Sequence, residues 1–273
     1  MASAKWDKAV KTSLKNKPMN LKSLFFCIIL SITAYGYAQN VSAPRYKYKY
    51  RMVRVDSTYD AKVDPKLAKY VEKKRQKMEQ QMQVVIAHTD EELVSYAPES
   101  PLSNALTDIM LNESANYIKD TTFDNIDIAM LNFGGIRTSM PAGNVTVGDM
   151  FRISPFENYL TFIVLKGSEL KKALGRFNNK MNAPYSGASI TYKNNKPVEI
   201  LVEGNPIDDN RLYKLVTVNF IADGGDHLLE GIHYEKIEYT TMTFRDFMIA
   251  ELKAMTARGE KVVGKLDGRA MFN

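Results

Sequence analysis

The chain has 273 residues, 45% hydrophobic and 25% charged, which excludes a disordered or collagen-like polypeptide and leaves room for one large or two small domains. Its formal charge of +6 sits at the N-terminus. Lys5, Lys8, Lys11, Lys15, Lys17 and Lys22 face Asp7 alone in residues 1–38, and the remaining 31 basic and 30 acidic residues leave a net charge of +1. Such a body lacks the one-signed field that phosphate-backbone binding relies on, so nucleic acid is not expected as a partner.

In chain order, Lys22 precedes an apolar run, Leu24 to Ile32, and then Ala34-Tyr35-Gly36-Tyr37-Ala38, with small residues where a signal peptidase cleaves. Residues 1–38 therefore read as a leader, with a signal peptide over 19–38 cleaved near Ala38 and a secreted or periplasmic product. The apolar core, roughly a dozen residues, is too short to span a bilayer. The only cysteine, Cys27, lies inside that core, so the body has neither a disulfide nor a thiolate metal site. Residues 39–61 read as an extended arm: from Arg45 to Arg51 aromatic and basic residues alternate with the period of a strand. The same interleaving serves single-stranded nucleic acid, but nothing in the near-neutral body continues the stripe.

Residues 62–273 are expected to form one domain. Asp64-Pro65 caps a helix whose Leu67, Val71, Met78 and Met82 make one stripe, expected to face inward. A second helix starts at Ser100-Pro101 and turns Leu102, Leu106, Ile109 and Met110 inward. Strand-like apolar runs follow at Ile126–Leu131, Leu160–Leu165, Ala188–Tyr192, Val198–Val202 and Leu215–Val218, with helices at Ser168–Phe177 and Phe244–Thr256. Strands and helices mix without βαβ alternation, so the fold class is α+β, a single domain with mixed sheets and packed helices.

The three histidines, His88, His227 and His233, stand in no metal-binding motif, and no nucleophile elbow or phosphate loop is present. A self-contained two-metal centre is not expected. Four stretches are unusual. Asn132-Phe133-Gly134-Gly135-Ile136-Arg137 ends a strand in paired glycines, which admit a ligand close to the backbone, with an arginine fork just beyond; a plain glycine turn has the same sequence. Pro155-Phe156-Glu157-Asn158 sets a ring two residues from an amide, able to stack a flat ring and read its edge, or to serve as core and turn. Tyr185-Ser186-Gly187-Ala188 is a glycine turn entering a strand. Asn219 to His227 places Phe220 six residues before Asp226, which sits on a Gly224-Gly225 turn. Two rings at such sites would clamp a base while the acid takes ribose hydroxyls.

Taken in order, these stretches resemble the C-terminal domain of the secreted 5′-nucleotidase and UDP-sugar hydrolase family. The likeness runs from about residue 62 to 273. Glu99-Ser100-Pro101-Leu102-Ser103-Asn104 is close to the family's E-x-x-L-G-N, and Asn132 to Arg137 is similar to N-G-G-G-I-R. Pro155 to Asn158 is similar to P-F-G-N, Asn219-Phe220 and Gly224-Gly225-Asp226 fit N-x-F/N-F and G-G-D-G, and Arg245-Asp246 and Gly268-Arg269 also agree. The resemblance implies a substrate-binding set of Asn132, Arg137, Phe156, Asn158, Gly187, Phe220 and Asp226. Phe156 and Phe220 would sandwich the base, Asn158 or Asn132 would touch its edge, Arg137 would meet phosphate and Asp226 the ribose. No catalytic residue is expected in this chain. Phe133 and Glu157 depart from the family pattern and would narrow the pocket or repel phosphate.

The family's metallophosphatase domain has no counterpart in these 273 residues. The resemblance therefore implies a domain that is inactive alone, holds no cofactor, binds a nucleotide or nucleoside and works with a separate metallophosphatase chain carrying the divalent metals. A non-catalytic nucleotide-binding protein and a degenerate scaffold are the alternatives.

Overall fold

The computed structural model describes residues 47–58, 63–178 and 180–272. The proposed signal peptide, residues 19–38, lies outside them. Lys47–Val55, from the basic-aromatic stretch, has no regular secondary structure. Asp64–Asn273 form one compact unit.

The first helix, α1 (Pro65–Met82), begins as its sequence dictates: Pro65 presets the first turn and the Asp64 carboxylate accepts the Lys66 backbone N–H at 2.8 Å. Its stripe does not face inward as expected. No residue of α1 is buried, and Leu67, Val71 and Met78 are each more than half exposed. Periodicity marked the stripe correctly but could not say what covers it.

A second helix, α2 (Pro101–Glu113), is closed by a reciprocal Ser100–Ser103 capping box and buries Leu102, Leu106 and Met110. Between these helices lies β1 (Val85–Thr89), which pairs antiparallel with β3 (Gly143–Thr146). A short helix, α3 (Val147–Ile153), follows β3 directly and packs against α1. There a Cβ on Gly148 would come within 3.3 Å of the Met82 Cβ.

The central sheet has five strands in the order β10-β4-β9-β2-β5: β2 (Ile128–Met130), β4 (Tyr159–Lys166), β5 (Tyr185–Ser186), β9 (Leu212–Val218) and β10 (Lys236–Thr243). The apolar run of β4, interrupted only by Thr161, is explained by burial on both faces, since six successive residues, Leu160 to Leu165, are buried. β2 runs parallel to β9, and β4 runs antiparallel to it, with Leu160 opposite Val218. This register brings the end of β2, the start of β4 and the end of β9 to one edge of the sheet. Three loops consequently emerge together.

A second sheet contains β6 (Ala188–Lys193), β7 (Lys196–Val202), β8 (Asn205–Pro206) and β11 (Ala270–Phe272), in the order β11-β6-β7-β8. Stacking of Tyr192 on Phe272, with centroids 4.1 Å apart, fixes β11 to β6. The helix α4 (Gly167–Leu174) is shorter than the sequence suggested, because Gly175 closes it and Lys166, not Ser168, precedes its first turn. A single turn of helix, α5 (Asn219–Ala222), follows β9, and α6 (Phe244–Ala257) packs on β1, α2 and α3 with Phe247, Met248 and Leu252 fully buried. Mixed parallel and antiparallel pairing with helices packed on it confirms the α+β class.

Candidate substrate-binding site

The three clustered loops enclose a cavity of about 280 Å³ lined by Asn132, Gly134, Gly135, Arg137, Phe156, Asn158, Phe220 and Asp226. Six of the seven residues expected at the site are thereby brought together from positions up to 94 apart in sequence.

Asn132 ends the strand run of β2 and is itself buried. Its amide donates to Asp226 Oδ2 at 2.6 Å, linking the first loop to the third. The paired glycines leave room for that bond: a Cβ on Gly135 would lie 2.7 Å from Asn132 Oδ1. Asp226 is held in the left-handed region, φ 53°, just after Gly224 at φ 98°. Such a conformation is tolerated by an acid and costs little at glycine. Arg137 is exposed; its Nη1 donates to the Gly134 carbonyl at 3.0 Å, and its guanidinium carbon stands 5.8 Å from the Phe156 ring centre. At that range it attracts the ring face.

The two rings are 44% (Phe156) and 42% (Phe220) exposed, so neither is part of the core. Phe156 follows the last turn of α3, where buried Arg245 donates from Nη1 to the carbonyls of Ser154 (3.3 Å), Pro155 (3.1 Å) and Phe156 (3.4 Å). The same guanidinium lies over the Phe151 ring at 4.2 Å. Phe220 stands on α5, which is tied down at both ends. Asn219 Oδ1 accepts the Tyr159 N–H at 2.7 Å, joining it to the start of β4, and the Tyr239 hydroxyl donates to Asp223 at 2.7 Å. That carboxylate holds the Tyr239 phenol above its ordinary pKa. Arg245 and Tyr239 were not singled out from sequence as site supports; Arg245 could have been found from its helix-start position in the closing Arg-Asp pair.

Gly187 is placed elsewhere. It joins β5 to β6 with φ 84°, and a Cβ there would fall 2.0 Å from the Asp127 carbonyl oxygen, so the glycine serves a tight turn between sheets. It borders a larger cavity, about 460 Å³, with Asp108, Asp267 and Arg269. The polar groups there are already spent on one another. Arg269 donates to Asp108 at 2.8 and 3.2 Å and to Asp267 at 2.9 and 2.6 Å. The smaller cavity has two half-exposed rings, and the Asn158 side-chain amide makes no hydrogen bond among the described residues. Neither Phe133 nor Glu157 is among the residues that line it.

Among the described residues no group of three His, Cys, Asp or Glu side chains could hold a metal ion. No helix among them is long and apolar enough to cross a membrane.

The fold and this loop cluster define an α+β domain with a cavity where three loops meet at one end of the central sheet. Residues 85–231 match the model of the 5′-nucleotidase C-terminal domain, and the chain belongs to that family. Among curated proteins, protein UshA of Yersinia enterocolitica is 35% identical over 105 residues, which are 37% of this chain and 19% of the relative. A 5′-nucleotidase of Vibrio cholerae is 24% identical over 63% of this chain and 31% of its own length. Among solved structures, a 5′-nucleotidase precursor from Thermus thermophilus superposes with a TM-score of 0.62 at 30% identity, over 72% of this chain and 41% of that one. The chain thus spans less than half the length of each of these relatives.

Proposed function

We propose that this chain is the nucleotide-recognition part of a secreted 5′-nucleotidase and that a separate metallophosphatase chain, carrying the divalent metals, performs the hydrolysis. The observation that supports this reading is the convergence of two half-exposed phenyl rings, an arginine, an asparagine and an acid on one cavity of about 280 Å³. The base stacks on Phe156 and Phe220, with Asn158 at its edge. Asp226, oriented by Asn132, accepts the ribose hydroxyls, and Arg137 meets phosphate. Stacking of this kind is worth about 1–3 kcal/mol per base. Positioning of the substrate by this chain would lower the barrier for the hydrolysis that the partner's metals would support.

Calorimetric titration of the chain with AMP, UDP-glucose and adenosine tests binding. Phe156→Ala and Phe220→Ala are each expected to weaken AMP binding about 5- to 150-fold, the factor equivalent to the stacking energy. Hydrolysis of AMP by this chain, the metallophosphatase and both together tests partnership. Equal activity with and without this chain would refute the partnership, and a wild-type chain that binds none of the three ligands would leave only a scaffold role.

A further inference from the structure

The proposed function requires a second polypeptide to meet this one, and the described surface holds one element built for such a meeting. α1 has 18 residues and buries none of them, with Leu67, Tyr70, Val71 and Met78 exposed at 58%, 59%, 54% and 52%. No residue of its apolar face is buried, whereas helices in folded proteins draw most of their stability from packing such a face. At 3.6 residues per turn Leu67, Val71, Met78 and Met82 share one narrow stripe, the spacing by which a helix seats in a groove. We infer that α1 is the docking helix for the metallophosphatase chain, and that its apolar stripe enters an apolar groove rimmed by acidic residues.

Charge selects the occupant. Lys66, Lys69, Lys73, Lys74, Arg75 and Lys77 outnumber Glu72 and Glu79, giving the helix a net charge of +4. Both glutamates are engaged by Arg75, at 2.9 and 3.3 Å, while Lys66, Lys69, Lys73 and Lys77 make no ion pair among the described residues. Pairing α1 with a second copy of itself would set +4 against +4. An acidic rim instead pairs these lysines around the stripe, and opposite fields of this kind speed encounter and fix orientation.

Position ties the surface to the site. Met82, on the same stripe, rests against Gly148 of α3, and α3 ends three residues before Phe156. A chain seated on α1 therefore stands beside the helix that carries one wall of the cavity. α1 also lies outside the family match, which begins at residue 85.

This inference rests on the two-chain reading, and its test separates the two. The full chain is titrated against each purified, metal-loaded metallophosphatase chain of the source organism by sedimentation and by stopped-flow association. Leu67→Ser/Val71→Ser/Met78→Ser should weaken the complex at least 20-fold. Lys66→Gln/Lys69→Gln/Lys73→Gln/Lys77→Gln should slow association at least tenfold in low salt, with the difference gone in 0.5 M salt. AMP affinity of the isolated chain should be unchanged in both, because every substituted side chain is exposed and none lines the cavity. Wild-type partner binding by both variants, or no binding by any metallophosphatase chain, would overturn the docking role, as would a stripe whose loss dissolves only a homodimer or only abolishes adsorption to phosphatidylglycerol vesicles. Failure of the wild-type chain to bind AMP would instead strike the nucleotide reading while leaving the docking measurement intact.

Discussion

Phe220 keeps its ring at the cavity mouth because residue 225 has no side chain. A Cβ on Gly225 would lie 2.4 Å from the Phe220 carbonyl oxygen and 2.5 and 2.6 Å from two of its ring carbons, contacts that real structures do not sustain. The glycine is therefore a seat for the ring, independent of the left-handed turn that Gly224 supplies. Gly225→Ala is expected to push the ring off its seat and to weaken AMP binding at least tenfold. The overpacking should also cost about 1–3 kcal/mol of stability. If the seat is the reason, Gly225→Ala/Phe220→Ala will bind AMP no more weakly than Phe220→Ala alone; an additive loss by calorimetry would mean that Gly225 contacts the nucleotide by another route. From sequence, Gly224-Gly225 reads as the turn that holds Asp226. Gly225 also makes room for the phenylalanine five residues earlier.

The loops are only as fixed as the elements that hold them, and here α6 reaches across to α3. Arg245, in the first turn of α6, donates from Nη1 to the three successive carbonyls of Ser154, Pro155 and Phe156, which carry the chain out of α3. Removing it by Arg245→Met leaves the buried Ser154 carbonyl and the more exposed carbonyls of Pro155 and Phe156 without this donor and should cost about 1.5–3 kcal/mol, the worth of a hydrogen bond to a charged group. AMP affinity should fall as well, through Phe156. Arg245→Lys should restore little of either, since a single ammonium cannot both fork to the carbonyls and stack on Phe151. Thermal melts and AMP titrations of both variants check this; a Met variant that is less stable yet binds AMP normally would confine Arg245 to packing. The legibility of these elements follows their burial. β4 and β9 were evident because both their faces are covered and their residues are accordingly apolar. β10 was not, because it is an edge strand whose Glu238, Tyr239 and Thr241 face solvent and whose composition resembles a loop. The ring pair was found from motif order, and Gly187 was grouped with it for the same reason. Order in sequence could not reveal that its turn opens toward the second sheet.

At the scale of the whole molecule, the carboxylates whose pKa is displaced are displaced in one direction. Asp267 is held below its usual range chiefly by Arg269, Glu169 by the His233 backbone N–H, and Asp90 by Lys261. Asp120 is pulled down to about 2, first by the Lys236 ammonium and then by Thr122. A carboxyl depressed in the folded state binds its proton first in the unfolded chain, so unfolding takes up protons and stability rises with pH through the interval between the two values. For Asp120 that interval runs from about 2 up to its ordinary 3.8. The contribution is complete above it and is lost as pH falls through it. Lys236 belongs to β10 and Asp120 to the segment before β2, so the pair ties the sheet's outer strand to the chain that leads into its centre. Lys236→Met is therefore expected to flatten the rise of Tm between pH 2 and 4 without moving its plateau above pH 5 by a comparable amount. The Thr122 bonds preserve part of the slope. Calorimetric melts of wild type and variant across pH 2–6 provide the check, and parallel curves, displaced equally at every pH, would show that Lys236 acts through its ammonium over the Phe123 ring at 5.6 Å and not through Asp120.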